Sequence, residues 1–388
     1  MSTFAEFVAQ RRVVVCCGTG GVGKTTVAAV VALAAARAGR NAVVVTIDPA
    51  KRLADTLGLV ELGDTPREIP RARWDPDAQA PAPGRLSALM LDTRATFDGL
   101  VHRYSTDPEQ AERILDNRFY RNIAGALSGT QEYMAAEKLH ELSEEGGYDL
   151  IVVDTPPSRH ALDFLDAPQR LTRLLDNRIF RFLMMPTRTY LRVASSAVQR
   201  FLRTVARVIG AEVLDDIVAF FRAFEGMEGG FRDRAARVGA LLLDPSTAFV
   251  LITSPRRDSV DEAEFFAARL RDAQLAVTAL IVNRVHPDFG GGPPEELRGR
   301  AAELRGRGDP AAAGLAARYE NLADYTELSD RERRSMNAVA AQIGAATVAY
   351  VPSLPHDVVD FAALDAVATQ LFGESGLGSP SHPDLPAG

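Results

Sequence analysis

The run Cys16-Cys17-Gly18-Thr19-Gly20-Gly21-Val22-Gly23-Lys24-Thr25-Thr26 sets a lysine and two hydroxyls directly behind a cluster of glycines. Gly18 to Thr25 fits the spacing GxxxxGK[ST], with the apolar run VVV before it and the helix-like run VAAVVALAAARA after it, the context that this phosphate-binding pattern requires. Glycines at such a corner let backbone N–H groups curl around phosphate oxygens; Lys24 can bridge the β and γ phosphates, and the Thr25 hydroxyl can ligate Mg²⁺. A helix starting near Gly23 adds the positive end of its dipole. The bland alternative is a glycine turn that only tightens a strand-to-helix corner. Lys24, Lys51 and Lys138 are the only lysines in a chain rich in arginine, so a lysine in this loop is not compositional noise.

Two aspartates extend the pattern. Asp48 ends the run from Ala42 to Ile47, and a carboxylate at that strand tip can orient a water for attack on a γ phosphate. It can equally cap a helix that begins at Pro49, and the two roles can coexist. Asp154 ends the apolar run Leu150 to Val153, where a rigidly held carboxylate can sit behind the Thr25 ligand and hold Mg²⁺ through water.

These residues need a scaffold that brings strand tips together. Short β-branched runs, Arg12 to Cys17, Ala42 to Ile47, Leu86 to Leu91, Leu150 to Val153, Phe249 to Thr253, Val277 to Asn283 and Thr347 to Val351, alternate with helical patterns. That alternation predicts an α/β fold, a mostly parallel sheet flanked by helices, with the strands before about residue 155 and after about 245 in one sheet. The spacing predicts one domain over residues 1–372, with helical insertions at about 93–145 and 163–243 and a disordered tail at 373–388. The proline-dense stretch from Glu61 to Gly84 reads as an irregular surface excursion.

At 388 residues and 46% hydrophobic composition the chain can bury a sizeable core. A net charge of −7 argues against a surface that binds nucleic acid as a whole. The only cysteines, Cys16 and Cys17, are adjacent and lie in the apolar lead-in to the loop, which reads as small core residues of a strand and offers neither a disulfide framework nor a metal knuckle. No apolar run has the length of a membrane span or a signal peptide, so the expected location is cytoplasmic.

Together, GTGGVGKTT, IDPAKRLAD and VVDTPPSRHALDFL resemble the arsenite-pump and tail-anchored-protein-targeting ATPases, a branch of the dimeric P-loop nucleotide switches with a deviant Walker A loop. The resemblance continues in Gly129 to Met134, in Asn283-Arg284-Val285 and in Val351 to Pro355. It implies an ATPase fold, ATP with Mg²⁺ as ligands, and a dimer. Gly18, Thr19, Gly20, Gly21, Val22, Gly23, Lys24, Thr25 and Thr26 would hold the triphosphate, with Thr25 on the metal and Asp154 behind it, and Asp48 in switch I would orient the water. Asn283 resembles the family's adenine-reading asparagine, although at a strand end it also suits an ordinary turn; Pro352 lies in the loop that packs on the base. The family's zinc-binding CxxC and arsenite-binding cysteines have no counterpart here, so no zinc or iron–sulfur cluster is expected.

One departure concerns catalysis. Family members often carry GKGGxGKT, whose first lysine reaches the partner's nucleotide; this chain has Thr19 there. The missing cation implies either a heterodimer with a paralogue that retains the lysine, or a homodimer in which Lys51, Arg52 or Arg159 compensates. From Arg170 to Arg207 there are nine arginines against the single acid Asp176, with an amphipathic pattern at Ala194, Val198, Phe201, Val205 and Val208. With the apolar run Ile179 to Pro186, this stretch suits a core between inserted helices. It also suits a groove for a hydrophobic or membrane-protein client, as in the family, or peripheral contact with anionic lipid.

Overall fold

In the computed structural model, eight strands run in the order β3-β4-β2-β5-β1-β6-β7-β8. They are β1 (Val13–Gly18), β2 (Ala42–Thr46), β3 (Arg67–Glu68), β4 (Leu86–Met90), β5 (Leu150–Asp154), β6 (Thr247–Thr253), β7 (Val277–Val285) and β8 (Thr347–Pro352). All neighbours pair in parallel except β3 and β4, which are antiparallel. The structure describes residues 3–48, 52–75, 84–123, 130–145, 147–156, 166, 167, 169, 170, 172, 173, 176, 207 and 210–373. Lys51, Arg159, Gly129, the run Ile179 to Pro186, the amphipathic pattern from Ala194 to Val208 and the tail after Gly373 lie outside the described residues.

The central strands are apolar throughout because both faces are covered. Val14 and Cys16 join one core, with α1 (Phe4–Ala9), α2 (Lys24–Arg37) and α14 (Phe361–Phe372). Val13, Val15 and Cys17 join the other, under α8 (Thr130–Glu145), α10 (Glu228–Leu243), α11 (Arg257–Asp272) and α13 (Pro310–Ile343). The two cysteines are thus free, buried strand residues on opposite faces, as their setting in the sequence suggests. Burial raises both thiols, Cys17 to about 12. The alanine-rich α2 is buried nearly all round, since it lies between the sheet, α3 (Arg52–Thr56) and α14.

The proline-dense stretch differs from expectation. It supplies the short edge strand β3 and the turn of helix α4 (Arg71–Trp74), and it buries Leu62, Ile69 and Trp74. Proline forbids a long strand but not a two-residue edge pairing, and Pro70 sits at the N-cap of α4, where no N–H is needed.

Beyond the sheet, α5 (Thr93–Tyr104), α6 (Pro108–Leu115), α7 (Arg118–Ile123), α8, α9 (Ala211–Ala223) and α10 surround an aromatic cluster that includes Tyr120, Phe220, Phe224 and Phe231. Tyr120 and Phe220 stack with centroids 5.9 Å apart. Between α8 and α10, the buried Arg234 pairs with the buried Glu137 at 2.6 Å and with Glu144 at 3.2 Å. A helical hairpin of α12 (Pro294–Arg305) and α13 follows β7. Asp309 caps α13 by accepting from the Ala312 amide, and Gly344, at φ 77°, ends it.

Candidate functional site

β1 lies at the centre of the parallel strands, between β5 and β6, and the chain leaves its carboxyl end into Thr19 to Gly23 before entering α2. Gly18 is held at φ 149°, and a Cβ there would stand 2.1 Å from the Ile252 carbonyl oxygen, so only glycine lets the strand turn this close to β6. Gly23, at φ 91°, is the N-cap of α2, and the free amides of that first turn face the loop. Lys24 is buried, and its Nζ donates to the Thr19 carbonyl at 2.7 Å. Burial pushes its pKa below the ordinary lysine value, against the pull of Asp154. An ammonium has three donors, and a single protein bond leaves two for ligand oxygens.

Asp154 is the most telling side chain. Its Oδ2 accepts from Thr25 Oγ1 at 2.7 Å and from Thr46 Oγ1 at 3.1 Å. Oδ1 is buried without a partner. Desolvation raises the carboxyl to about 6, opposed by the two hydroxyls and by Lys24. The sheet register sets this geometry, because Asp154 stands opposite Cys16 of β1 on one side and Thr46 of β2 on the other. A desolvated carboxylate with one oxygen unmet, bonded to a threonine hydroxyl at the mouth of a glycine loop, suits a hydrated divalent cation.

A cavity of about 730 Å³ opens over these strand ends. Its wall includes Gly20, Gly21, Gly23, Lys24, Thr25, Thr26, Asp48, Asn283 and Pro352, which the sequence scatters over three hundred positions. Gly18, Thr19 and Val22 are not part of the wall: Gly18 belongs to β1, Val22 to the core, and Thr19 is buried with its carbonyl on Lys24. Asp48 follows β2 next to β5, so it shares the strand-end rim with Asp154. The alternative cap at Pro49 falls outside the described residues.

Asn283 reaches the loop itself. Its Nδ2 donates to the Val22 carbonyl at 2.8 Å, and its Oδ1 accepts from the Arg284 amide at 2.9 Å. One donor and one acceptor of the amide stay available, the pair that an adenine edge needs. Pro352 ends β8 opposite Val285, and the Ser353 amide bonds the Val285 carbonyl at 2.9 Å, so the loop that follows is pinned beside Asn283.

Sequence reasoning missed Thr46, Thr155, Asp55 and Arg284. Thr46 closes the run AVVVT, and its hydroxyl at the last place of an apolar strand was the available signal. Thr155 ties β5 to β1 through its hydroxyl on the Cys16 carbonyl at 2.8 Å. Asp55, Arg52 and Arg284 line the cavity.

Residues 11–300 match the family described as anion-transporting ATPase. The chain belongs to that family. Among its relatives are an uncharacterized protein of Streptomyces coelicolor, 28% identical over 76% of this chain and 69% of its own length, and a "Putative arsenical pump-driving ATPase 1" of Aquifex aeolicus, 21% identical over 97% of this chain and 82% of the other. The protein named ATPase get3 of Schizosaccharomyces japonicus is 23% identical over 69% of this chain and 72% of its own length. Membership agrees with a P-loop scaffold whose glycine loop and Asp154 sit at the carboxyl ends of a mostly parallel sheet. No helix among the described residues is long and apolar enough to cross a membrane.

Proposed function

We propose that this protein is a Mg²⁺-dependent ATPase that couples ATP binding and hydrolysis to a conformational change in a cytoplasmic dimer, and that it handles a hydrophobic or membrane-protein client. The observation that carries the enzymatic part is the Asp154 constellation, in which one carboxylate oxygen holds Thr25 and Thr46 and the other is buried without a partner. In this reading the loop amides and Lys24 bind the phosphates; Thr25 would hold Mg²⁺ directly and Asp154 through water, and the metal would supply charge neutralisation to the phosphates. Asp48 orients the attacking water, and Asn283 with the loop after Pro352 reads the base. The relatives' names support the ATPase part, since proteins named as arsenical pump-driving ATPase and as ATPase get3 resemble this chain over most of its length, and the first name couples such an ATPase to a pump.

Thr19 favours a second reading, a nucleotide-binding regulatory subunit with little turnover of its own. Its position is neutral and buried, so no cation leaves this loop for a partner's nucleotide. The two readings separate when the chain is assayed alone and with a co-expressed paralogue, each with and without Thr19→Lys. Both rest on nucleotide binding, for which Lys24→Ala is the test. Removing a sheltered ammonium should weaken MgATP affinity at least tenfold without loss of folding. Equal affinity in the variant and the wild type rejects the site.

A further inference from the structure

The end of β7 is built unusually. Arg284 adopts φ 61°, one of two non-glycine residues at positive φ among the described residues, and the pairing of β7 with β8 shifts register between Asn283 and Val285. A long side chain in the left-handed region is strained, and such strain persists where the surrounding bonds fix it. Here Asn283 Oδ1 accepts from the Arg284 backbone N–H, while Asn283 Nδ2 donates to the Val22 carbonyl in the phosphate loop. The strand end therefore abuts the loop, and a Cβ added to Gly23 would stand 2.4 Å from Asn283 Nδ2.

The Arg284 side chain is exposed, lines the cavity, and forms no ion pair or side-chain hydrogen bond among the described residues. Asp357, on the loop after β8, shares that wall without pairing to it. Arg52 faces the same cavity from α3, but Asp55 lies one turn further on that helix and faces it too, so that wall is balanced. Among the described residues Lys24 is the only lysine in the cavity wall, and Thr19 adds no charge beside it. A planar guanidinium with five donors suits the paired oxygens of a diphosphate, where it forms two parallel bonds.

We propose that Arg284 is a second cation of the nucleotide site, pairing in cis with the diphosphate of the bound nucleotide beside the phosphate loop. The inference rests on the nucleotide-binding reading above and adds to it a residue next to Asn283 that serves the phosphates. The backbone at positive φ sets Arg284 in the cavity wall that it shares with Gly20, Gly21 and Lys24 of the loop, and the Asn283 side-chain amide accepts from that backbone. A charge placed there favours ADP and ATP equally, so it raises affinity and slows product release instead of accelerating the chemical step.

The test uses the full chain with MgADP, MgATP and tripolyphosphate as separate probes, affinities being measured by calorimetry at two salt concentrations. Arg284→Ala is expected to weaken all three about tenfold, with a gap from wild type that narrows as salt rises, and Arg284→Lys to recover most of the loss. Arg284→Gly relieves the positive φ and so keeps the fold; it should lose affinity like the alanine variant. Unchanged affinities in Arg284→Gly overturn the proposal, and so does a loss for ADP with none for tripolyphosphate, which places the guanidinium on the base. A wild-type chain that binds none of the three overturns the nucleotide reading itself.

Discussion

At the ends of β1 and β5 the buried charge of Asp154 has no cation within ion-pair distance among the described residues, and one of its oxygens is unpartnered. Between α8 and α10 the buried charge of Glu137 is met by Arg234 at 2.6 Å, although its second oxygen is also unpartnered. Both regions bear the cost of desolvating a carboxylate. In the helical layer the protein answers it internally, and the result is a fixed join between two helices. At the strand ends the proposed function leaves the answer to a ligand, and in that reading occupancy of the site becomes a term in the stability of the fold.

The comparison breaks first at Arg234. Arg234→Ala leaves Glu137 buried without its counter-charge and is expected to lower the unfolding free energy by about 3–5 kcal/mol, with nucleotide affinity unchanged. Denaturant titration checks it, and the double variant Arg234→Met with Glu137→Leu should recover most of the loss, because it removes both charges together. A single variant as stable as wild type would mean that the pair joins nothing.

Asp48→Asn sharpens the catalytic side. A carboxylate that orients water acts mainly in the transition state, so kcat should fall by about 10²-fold, roughly 2.7 kcal/mol, while MgATP affinity stays within twofold. Loss of affinity and rate together would assign Asp48 to binding instead.

Asp154→Asn gives a smaller effect on stability than Arg234→Ala, and of the opposite sign. The folded chain holds the Asp154 proton up to about pH 6, whereas an ordinary aspartate releases it near 3.8. The folded state is thus the richer in protons between those values, and the group's contribution to stability falls as pH rises through that window. The asparagine variant lacks that slope. Free of nucleotide at pH 7, it should be more stable than wild type by about 1–3 kcal/mol and should lose Mg²⁺-dependent nucleotide binding. Thermal unfolding with and without MgATP reads both effects, and a variant less stable than wild type at pH 7 would show that the Thr25 and Thr46 bonds outweigh the desolvation.

Much of the scaffold was legible because its causes are local. Seven short apolar runs, six of them rich in β-branched residues, became seven strands, and the glycine loop falls between a strand and a helix, as its spacing demands. The two-residue β3 was not legible, since nothing in Arg67-Glu68 distinguishes an edge pairing from a turn. Thr46 escaped for a related reason. Its bond to Asp154 depends on β2 lying beside β5, and strand order is a property of the whole sheet. Arg284 was passed over beside Asn283 because the backbone turn that brings it to the cavity is imposed by a side chain on the preceding residue. In the helical layer the aromatic residues announced a packed region, but which of them stack follows from how α7 meets α9.

The contact between Gly23 and Asn283 has a consequence for how this chain can drift under mutation. Any side chain at position 23 would collide with the amide that reaches across to Val22, so the phosphate loop and the tip of β7 form one unit of inheritance although 260 positions separate them. Gly23 is also held at φ 91°, so two separate causes exclude a side chain there, the collision and the backbone strain, and shortening residue 283 removes only the first. In a library randomised at both positions, functional survivors should keep glycine at 23 whatever stands at 283.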